Sequence, residues 1–280
     1  MGWRFTDDPA RYAEHVWDLF TADPASRTVE LTVAAAARSG FRWSDDPMLF
    51  GWYEDGGDVR GAVSLTPPHE LLLAVVPDGT LDDLIAGLRD QRAALPGVNG
   101  EVELVERFVA AWTAGTPLRH RVALRLRLFR LGTLVPPDPP PPGSARAATP
   151  DDLALAVRWL RAFEEETDVT RTNVEAGARE RLDGNRLWLW ETDSGEPVAL
   201  AARTATAAGV ARVAPVYTPP EHRRRGYGAA VTAAITADAL ERDAAHVVLF
   251  TDVENPTTSA IYQQIGFRPI GDRCTIHFSD

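Results

Sequence analysis

Apolar and polar residues follow an orderly pattern over the second half of the chain. Thr149-Pro150-Asp151-Asp152 combines a capping threonine, a proline at the first helical position and an acid at the third, which is typical of a helix start. Leu153, Ala156, Val157, Leu160 and Phe163 then recur at helical spacing. The further predicted elements are a helix at 174–182, strands at 187–190, 198–204 and 210–217, a helix at 226–242, a strand at 246–250, a helix at 256–265 and a strand at 274–278.

The first half shows the same kinds of segment in a similar order. Its predicted elements are helices at 9–20 and 29–39, strands at 50–53, 61–65 and 71–76, helices at 81–95 and 101–114, and an alternating strand at 121–131. This order is close to that of the second half. The sequence therefore favours a mixed α/β fold class and an internal duplication of one fold.

A proline-rich segment separates the two halves. Six prolines occupy the seven positions from Pro136 to Pro142, which excludes a continuing helix and favours an extended polyproline conformation. Such a segment is a semi-rigid spacer, a strap across a domain surface, or a proline motif that a partner reads. We predict one domain over residues 1–135, a linker over 136–144 and a second domain over 145–280.

Composition narrows the class of protein. Hydrophobic residues make up 45% and charged residues 25% of the chain, which is typical of a globular protein. The net charge of −11 argues against a general nucleic-acid binder. No apolar run is long enough to span a membrane, and the polar first residues lack a signal-peptide core. The single cysteine, Cys274, excludes an intramolecular disulfide and a cysteine zinc cluster. We expect a cytoplasmic protein without a metal.

The stretch from Ala211 to Ala230 carries the candidate chemistry. An apolar strand ends at Pro219-Pro220, passes through the basic loop Arg223-Arg224-Arg225-Gly226-Tyr227-Gly228, and opens an alanine-rich helix. The glycines allow the backbone to approach a bulky anion, and the first helical N–H groups lie at the positive end of the helix dipole. This arrangement suits a pyrophosphate. Without this context, three arginines would be interpreted as a solvated charge run in a loop. The Rossmann and P-loop motifs of the competing nucleotide sites are both absent.

The same residues resemble the GCN5-related N-acetyltransferase (GNAT) superfamily. Arg223-x-x-Gly226-x-Gly228 matches its coenzyme A signature. A second block, from Leu249 through Asn255-Pro256 to Tyr262-Gln263-Gln264-Ile265-Gly266-Phe267, is similar to the family's strand, Asn, helix and Tyr-x-x-x-Gly-Phe arrangement. The resemblance covers roughly residues 145–278. It implies a mixed central sheet flanked by helices, with a GNAT fold in the C-terminal half and a degenerate GNAT-like repeat in the N-terminal half, as in two-domain bacterial members.

The resemblance also implies roles for individual residues. Acetyl-coenzyme A (acetyl-CoA) would be the co-substrate, with the strand end offering backbone groups to its pantetheine arm and thioester, and residues 224–229 cradling its pyrophosphate. Tyr262 would act as general acid to the thiolate, unless it is a core aromatic. The cofactor-binding set that follows is Val216, Tyr217, Thr218, Arg223, Arg224, Arg225, Gly226, Tyr227, Gly228, Ala229, Asn255 and Tyr262.

Two carboxylates are candidates for the general base, because the strand 210–217 carries no acid. Helical phase places Glu164 on the inward face of its helix. A similar Trp-x-x-Ala-Phe-x-x-Glu run in a two-domain GNAT subgroup instead favours Glu166. A solvated acidic helix end is the alternative for both residues. Trp188 and Trp190 either line the acceptor cleft or pack in the core.

The first half has an acidic loop where the second half has a basic one. Val76-Pro77-Asp78-Gly79-Thr80-Leu81-Asp82-Asp83 would repel an anion. We therefore expect one cofactor site and an acetyl-CoA-dependent N-acetyltransferase, in which the primary amine of a small molecule or peptide attacks directly. A non-catalytic acyl-CoA-binding regulatory module is the alternative. A hydroxyl acceptor and a homodimer both stay open, and neither nucleic acid nor a membrane is an expected partner.

Overall fold

The computed structural model describes residues 1–91, 93, 95–167 and 173–279, which form two compact units. The first unit contains Met1–Leu128, Asp252–Glu254 and residues 270–279. The second contains Phe129–Thr251 and Asn255–Pro269. The domain limits expected from the sequence stay a prediction, and the units differ from them in that the C-terminal residues belong to the first unit. Within the described part of the chain, no helix has the length and apolar character needed to cross a membrane.

The first ten elements in chain order are β1 (Gly2–Thr6), α1 (Pro9–Thr21), α2 (Thr28–Arg38), β2 (Leu49–Asp55), β3 (Asp58–Leu65), β4 (Leu71–Val75), α3 (Leu81–Asp90), β5 (Gly97–Glu101), α4 (Val102–Thr113) and β6 (Arg119–Leu131). Strands β1 to β4 are paired antiparallel in sequence order, and β4 runs parallel to β5. The start of α1 is capped by Asp8, whose carboxylate accepts hydrogen bonds from the N–H groups of Ala10 and Arg11.

The next ten elements are β7 (Ser144–Ala147), α5 (Leu153–Thr167), α6 (Val174–Asp183), β8 (Leu187–Glu191), β9 (Pro197–Arg203), β10 (Val210–Tyr217), α7 (Tyr227–Arg242), β11 (His246–Asp252), α8 (Pro256–Gln264) and β12 (Phe267–Ser279). Strands β7 to β10 are paired antiparallel, and β10 runs parallel to β11. The predicted capping box is present, because Asp152 accepts from the N–H of Thr149 and α5 follows directly.

Both runs of ten elements have the order βααβββαβαβ. This agrees with the predicted duplication and confirms the mixed α/β fold class. The last strand of the second run, β12, pairs antiparallel with β5, with Cys274 opposite Gly100. The C-terminal strand therefore completes the sheet of the first unit.

Three strands, β1, β5 and β7, were not predicted, and the predicted helix 81–95 ends at Asp90. Residues 92 and 94 of that predicted helix lie outside the described residues. The sequence of β5, Gly97-Val98-Asn99-Gly100-Glu101, has weak strand propensity. Its conformation is imposed by its neighbours, since a Cβ atom at Gly97 would collide with the carbonyl oxygen of Ile276. Likewise β12 begins at Phe267, earlier than the predicted Cys274.

The sheet of the second unit is covered on both faces. Along β8, Trp188 and Trp190 pack with the buried residues of α7, whereas Leu187 and Leu189 pack with α5 and α6 on the other face. This alternation follows from the twofold side-chain period of a strand. The two faces therefore present different side chains to any site at the end of the sheet.

A buried ion pair holds β12 in the first unit. Arg273 Nη1 lies 2.7 Å from Glu30 Oε1 of α2, and the two side chains are 6% and 0% exposed. Arg273 Nη2 also donates to Asn99 Oδ1, while Asn99 Nδ2 donates to Thr275 Oγ1 at 2.6 Å. Among the described residues, the ion pair recorded for each partner is this one, so removing one partner leaves a buried charge.

We expect Arg273→Met to lower the free energy of unfolding by about 3–5 kcal/mol, because Glu30 then remains buried and charged. The double substitution Glu30→Leu with Arg273→Met should recover part of that loss. Arg60→Met is the matched control, since Arg60 forms a 3.6 Å pair with Asp58 in which both side chains are exposed; it should cost less than about 1 kcal/mol. Chemical denaturation measures all three, and equal effects of the two arginine substitutions would contradict the role of the pair.

Candidate functional site

Strand β10 separates from β11 near its C-terminal end. The ladder between them joins Val210–Val213 to the segment 246–249. Between Val213 and Val216 the pairing of β10 with β9 shifts register, after which Val216 lies opposite Ala201 and Tyr217 opposite Leu200. The end of β10 thus stays attached to β9 only, within the ladders recorded for the described residues. Backbone groups of β10 beyond Val213, on the side where the recorded pairing with β11 has ended, are then available for a ligand.

The loop after β10 leads into the N-terminus of α7 with two residues in left-handed conformation. Arg224 has a φ of 60° and Gly226, which precedes the first helical residue, has a φ of 83°. No side chain caps this helix start, and the N–H of Ala230 donates to the carbonyl of Gly226. The three preceding helical N–H groups therefore lack an intrahelical acceptor. Left-handed residues next to an uncapped helix start form a concave set of donors suited to an anion.

Gly228 brings this helix start close to the strand end. A Cβ atom at Gly228 would lie 3.3 Å from Thr218 Oγ1 and 4.0 Å from Val216 Cγ1. The predicted residues Val216, Thr218, Gly226 and Gly228 are therefore near one another, as a cofactor that contacts both strand end and loop requires. Tyr227 points away from this surface and is buried in the core, while Arg224 and Arg225 are exposed.

The proline-rich segment lies beside the same loop. Pro141 is the nearest neighbour in the direction of a Cβ at Gly226, at 3.8 Å, and Trp190 Nε1 donates to the carbonyl of Pro142 at 3.0 Å. At the other end of the segment, the N–H of Val135 donates to the carbonyl of Ile265. The segment is thus a strap against the second unit, and Trp190 is a buried anchor for it.

Tyr262 is buried on α8 with 8% of its surface exposed. Its ring packs edge-on against Phe267, with 6.2 Å between the centroids. Burial raises the pKa of its phenol to about 12, and the neighbouring Thr232 hydroxyl opposes this rise. The side chain is therefore a core aromatic that also keeps its proton at neutral pH. Its role as a general acid stays a prediction.

Asn255 caps α8, and its Oδ1 accepts a hydrogen bond from the N–H of Thr258 at 3.1 Å. The carbonyl side of the amide is engaged in the helix start, so the amide nitrogen is the group that can bind a cofactor. His222, in the turn after β10, lies 3.7 Å from Glu196, in keeping with a loop-facing polar residue.

One of the two candidate bases joins an ion-pair cluster at the strand end. Arg223 Nη2 lies 2.7 Å and 2.6 Å from the two carboxylate oxygens of Glu166, and Arg223 Nε donates to the carbonyl of Thr218 at 2.8 Å. The Tyr217 hydroxyl donates to Glu166 Oε1 at 3.3 Å. Burial, followed by the charge of Glu166, raises the pKa of Tyr217. Sequence reasoning missed this cluster, because its members are 57 residues apart and no local pattern connects them.

The other candidates lie elsewhere on the second unit. Glu164 is partly buried on α5, and its Oε1 is shielded from solvent without a hydrogen-bond partner in the described residues. Trp188 and Trp190 lie on the opposite face of the sheet from α5, packed with the α7 core. The structure therefore brings Glu166 to the strand end, and it places both tryptophans in core packing instead.

In the first unit, β4, its following loop and α3 have the same place in the element order as β10, its loop and α7. Asp82 and Asp83 occupy the first turn of α3, and the side chain of Asp78 is almost fully exposed. Negative side chains at a helix N-terminus complement its dipole themselves. This loop thus offers an anion a repulsive surface.

Comparisons with known proteins agree with the fold described above. Residues 192–276 match the family described as FR47-like protein. A Drosophila melanogaster protein has a TM-score of 0.69 at 15% identity, over 99% of this chain and 98% of that one. A GCN5-related N-acetyltransferase from Sphaerobacter thermophilus has a TM-score of 0.63 at 16% identity, over 99% and 95%. A tandem GNAT protein from the clavulanic acid biosynthesis pathway has 0.58 at 16%, over 99% and 98%. No curated protein matches in sequence. These likenesses establish a shared fold.

The buried phenol of Tyr262 makes stability depend on pH. Its folded pKa of about 12 lies above the unfolded value near 10, so its contribution is complete below pH 10 and is lost as pH rises through 12. We expect the unfolding free energy to fall over this window, with Tyr262 contributing at most about 3 kcal/mol. In urea titrations, the unfolding free energy of Tyr262→Phe should fall less steeply from pH 10 to 12 than that of the wild type. Parallel pH profiles for the two proteins would contradict a buried, protonated phenol.

Proposed function

We propose that the chain is a member of the GNAT superfamily and an acetyl-CoA-dependent N-acetyltransferase acting on a primary amine. The observation that carries the proposal is the uncapped start of α7 beside the separated end of β10. A pyrophosphate needs the first feature and a thioester arm needs the second. In the first unit, α3 also starts without a side-chain cap and the recorded pairing of β4 with β5 ends at Leu73, but the loop there carries acids where this one carries arginines.

Acetyl-CoA is the proposed donor substrate. The N–H groups of residues 224–229 bind its pyrophosphate, the end of β10 from Val216 to Thr218 hydrogen-bonds its pantetheine arm, and the Asn255 amide adds a further contact. Gly228 is required because a side chain there would crowd Thr218, and Gly226 because its φ of 83° is disfavoured for residues with a side chain. No side-chain lysine is needed, because the donors are backbone groups at a helix terminus.

The proposed chemistry is direct transfer. The lone pair of the acceptor amine forms a bond to the thioester carbonyl carbon, and the carbon–sulfur bond breaks to release a thiolate. Backbone N–H groups at the strand end stabilise the developing oxyanion. The amine gives up one proton to a carboxylate or to water that the carboxylate orders, and Tyr262 gives one to the thiolate. The high pKa of Tyr262 ensures that this proton is present at neutral pH.

Glu166 is the base that the geometry favours, because Arg223 and Tyr217 hold its carboxylate beside the end of β10. Glu164 stays the second candidate, because its Oε1 is buried without a hydrogen-bond partner in the described chain. A small amine is the proposed acceptor, and the cytoplasm is the proposed location. The competing function is an acyl-CoA-binding regulatory module, in which the same loop binds the cofactor and no transfer follows.

The transferase and the regulatory module both require cofactor binding at this loop, so a measurement of acetyl-CoA binding tests the site that they share. We expect acetyl-CoA to raise the melting temperature of the wild-type protein, and calorimetry to give a dissociation constant that Gly228→Val weakens at least about tenfold, or ~1.4 kcal/mol. The valine would occupy the space next to Thr218. Gly271→Val is the control, because no atom lies within 4 Å of a Cβ at Gly271. Equal affinity of wild type and Gly228→Val would contradict the site.

Turnover separates the enzyme from the binding module. We expect coenzyme A release from acetyl-CoA in the presence of one or more amines of a broad panel, measured by a thiol assay. Tyr262→Phe should lower kcat about 10-fold to 100-fold with little change in acetyl-CoA affinity, because only proton delivery is lost. Unchanged kcat would exclude the acid role. Binding without release over the whole panel would favour the regulatory module.

Comparing Glu166→Gln with Glu164→Gln identifies the base. Substitution of the true base should lower kcat/KM for the amine at least about 100-fold, whereas the affinity for acetyl-CoA should change little. Both variants retain size and hydrogen-bonding capacity, so circular dichroism melts serve as the fold control. Equal, small losses in both variants would assign deprotonation to an ordered water.

A further inference from the structure

Arg223 belongs to the basic loop by sequence, yet its side chain is engaged at the end of β10. Its Nε donates to the Thr218 carbonyl at 2.8 Å, and its Nη2 contacts both carboxylate oxygens of Glu166. All three arginines are exposed, but among the described residues no side-chain contact of Arg224 or Arg225 is recorded. The three arginines therefore differ in structure, although they are alike in sequence.

Tyr217 completes the cluster from the strand. Its hydroxyl donates to Glu166, its ring lies 5.9 Å from the Arg223 guanidinium carbon, and its other side packs against Trp159 of α5. Glu166 stands in the last turn of α5, where a glutamate has several accessible rotamers. Contacts from both Arg223 and Tyr217 select one of these rotamers.

Charge is also balanced within the cluster. The side chains of Glu166 and Arg223 are each 42% exposed and carry opposite unit charges at close distance. Together they contribute little net potential to an approaching phosphate. The backbone donors of the loop and the exposed Arg224 and Arg225 are then the positive groups available to a pyrophosphate.

Resting on the proposed transferase function, we propose that Arg223 is a positioning residue for Glu166 and not a phosphate ligand. With the Thr218 carbonyl as its anchor, it holds this carboxylate at the strand end where the acceptor amine is deprotonated. Tyr217 has the same role from the opposite side. Arg223 thus contributes to deprotonation of the acceptor amine, whereas the backbone N–H groups of the same loop bind the cofactor.

Acetyl-CoA affinity distinguishes the two roles. Calorimetry with acetyl-CoA should show that Arg223→Gln weakens binding no more than Arg225→Gln, which removes the same charge from the same loop, and that Glu166→Gln changes affinity less than threefold. A phosphate-binding Arg223 predicts the opposite: at least tenfold greater weakening than in Arg225→Gln, and tighter binding in Glu166→Gln because a competing carboxylate is gone. That pair of results would overturn the proposal.

The Tyr217 phenol reports on the cluster without any activity. Glu166 raises and Arg223 lowers its pKa, with Glu221 as a further acidic neighbour. In NMR titrations of ring-labelled tyrosine, Glu166→Gln should lower the Tyr217 pKa and Arg223→Gln should raise it, with Tyr217→Phe assigning the signal. Shifts of equal sign, or no shift, would show that the cluster does not persist in solution and would overturn the proposal.

Turnover supplies the third measurement, with the amine that reacts fastest in the panel. Glu166→Gln should lower kcat/KM for the amine at least about 100-fold and Arg223→Gln about tenfold or more, and the double variant should be no slower than the slower single one. Arg223→Lys should restore only part of the activity, since an ammonium cannot make the same forked contacts. Additive losses would overturn the proposal. Absence of acetyl-CoA binding to the wild type would instead refute the proposed function, and the tyrosine titration would still test the cluster.

Discussion

The separation of β10 from β11 is the constraint on which the rest of the site depends. A continuous parallel pair would use the backbone groups of both strands in the sheet, and no polar backbone surface would remain for a ligand. The recorded pairing with β11 stops at Val213, whereas the pairing with β9 resumes at Val216 after a register shift and still supports the strand. The strand end therefore stays ordered and keeps available hydrogen-bonding groups. Both conditions are needed for a site that binds through the main chain.

The helix start beside this strand end provides the second set of backbone groups. Gly228 allows α7 to approach Thr218, and Gly226 adopts the left-handed conformation that opens the helix without a capping side chain. The Pro141 strap covers one side of Gly226. Because these contacts are made by small or rigid residues, the donors are preorganised and little conformational entropy is lost on binding.

The two units show how one order of elements supports different surfaces. Each contains a strand, loop and helix in the same place in the order, but the second carries three arginines there, and the first carries Asp78, Asp82 and Asp83. The first unit contains a buried arginine, Arg273, which is paired with Glu30 and contributed by the last strand. A charge buried in this way stabilises one arrangement of β12 against others, because a shifted strand would leave it unpaired.

The sequence by itself determined the elements with strong local signals and the residues of the cofactor loop. The capping box before α5, the helical spacing, the alternating strands and the Arg-x-x-Gly-x-Gly loop depend on neighbouring residues, so a linear pattern contains them. Tertiary structure decided the rest. Strand β5, with its glycines and asparagine, exists because β4 and β12 pair with it. Other contacts also join residues far apart in the chain. They are the hydrogen bond of buried Trp190 to Pro142, the contact of Pro141 with Gly226 and the ion pair of Glu166 with Arg223. Such contacts follow from how the elements pack, which no local periodicity encodes.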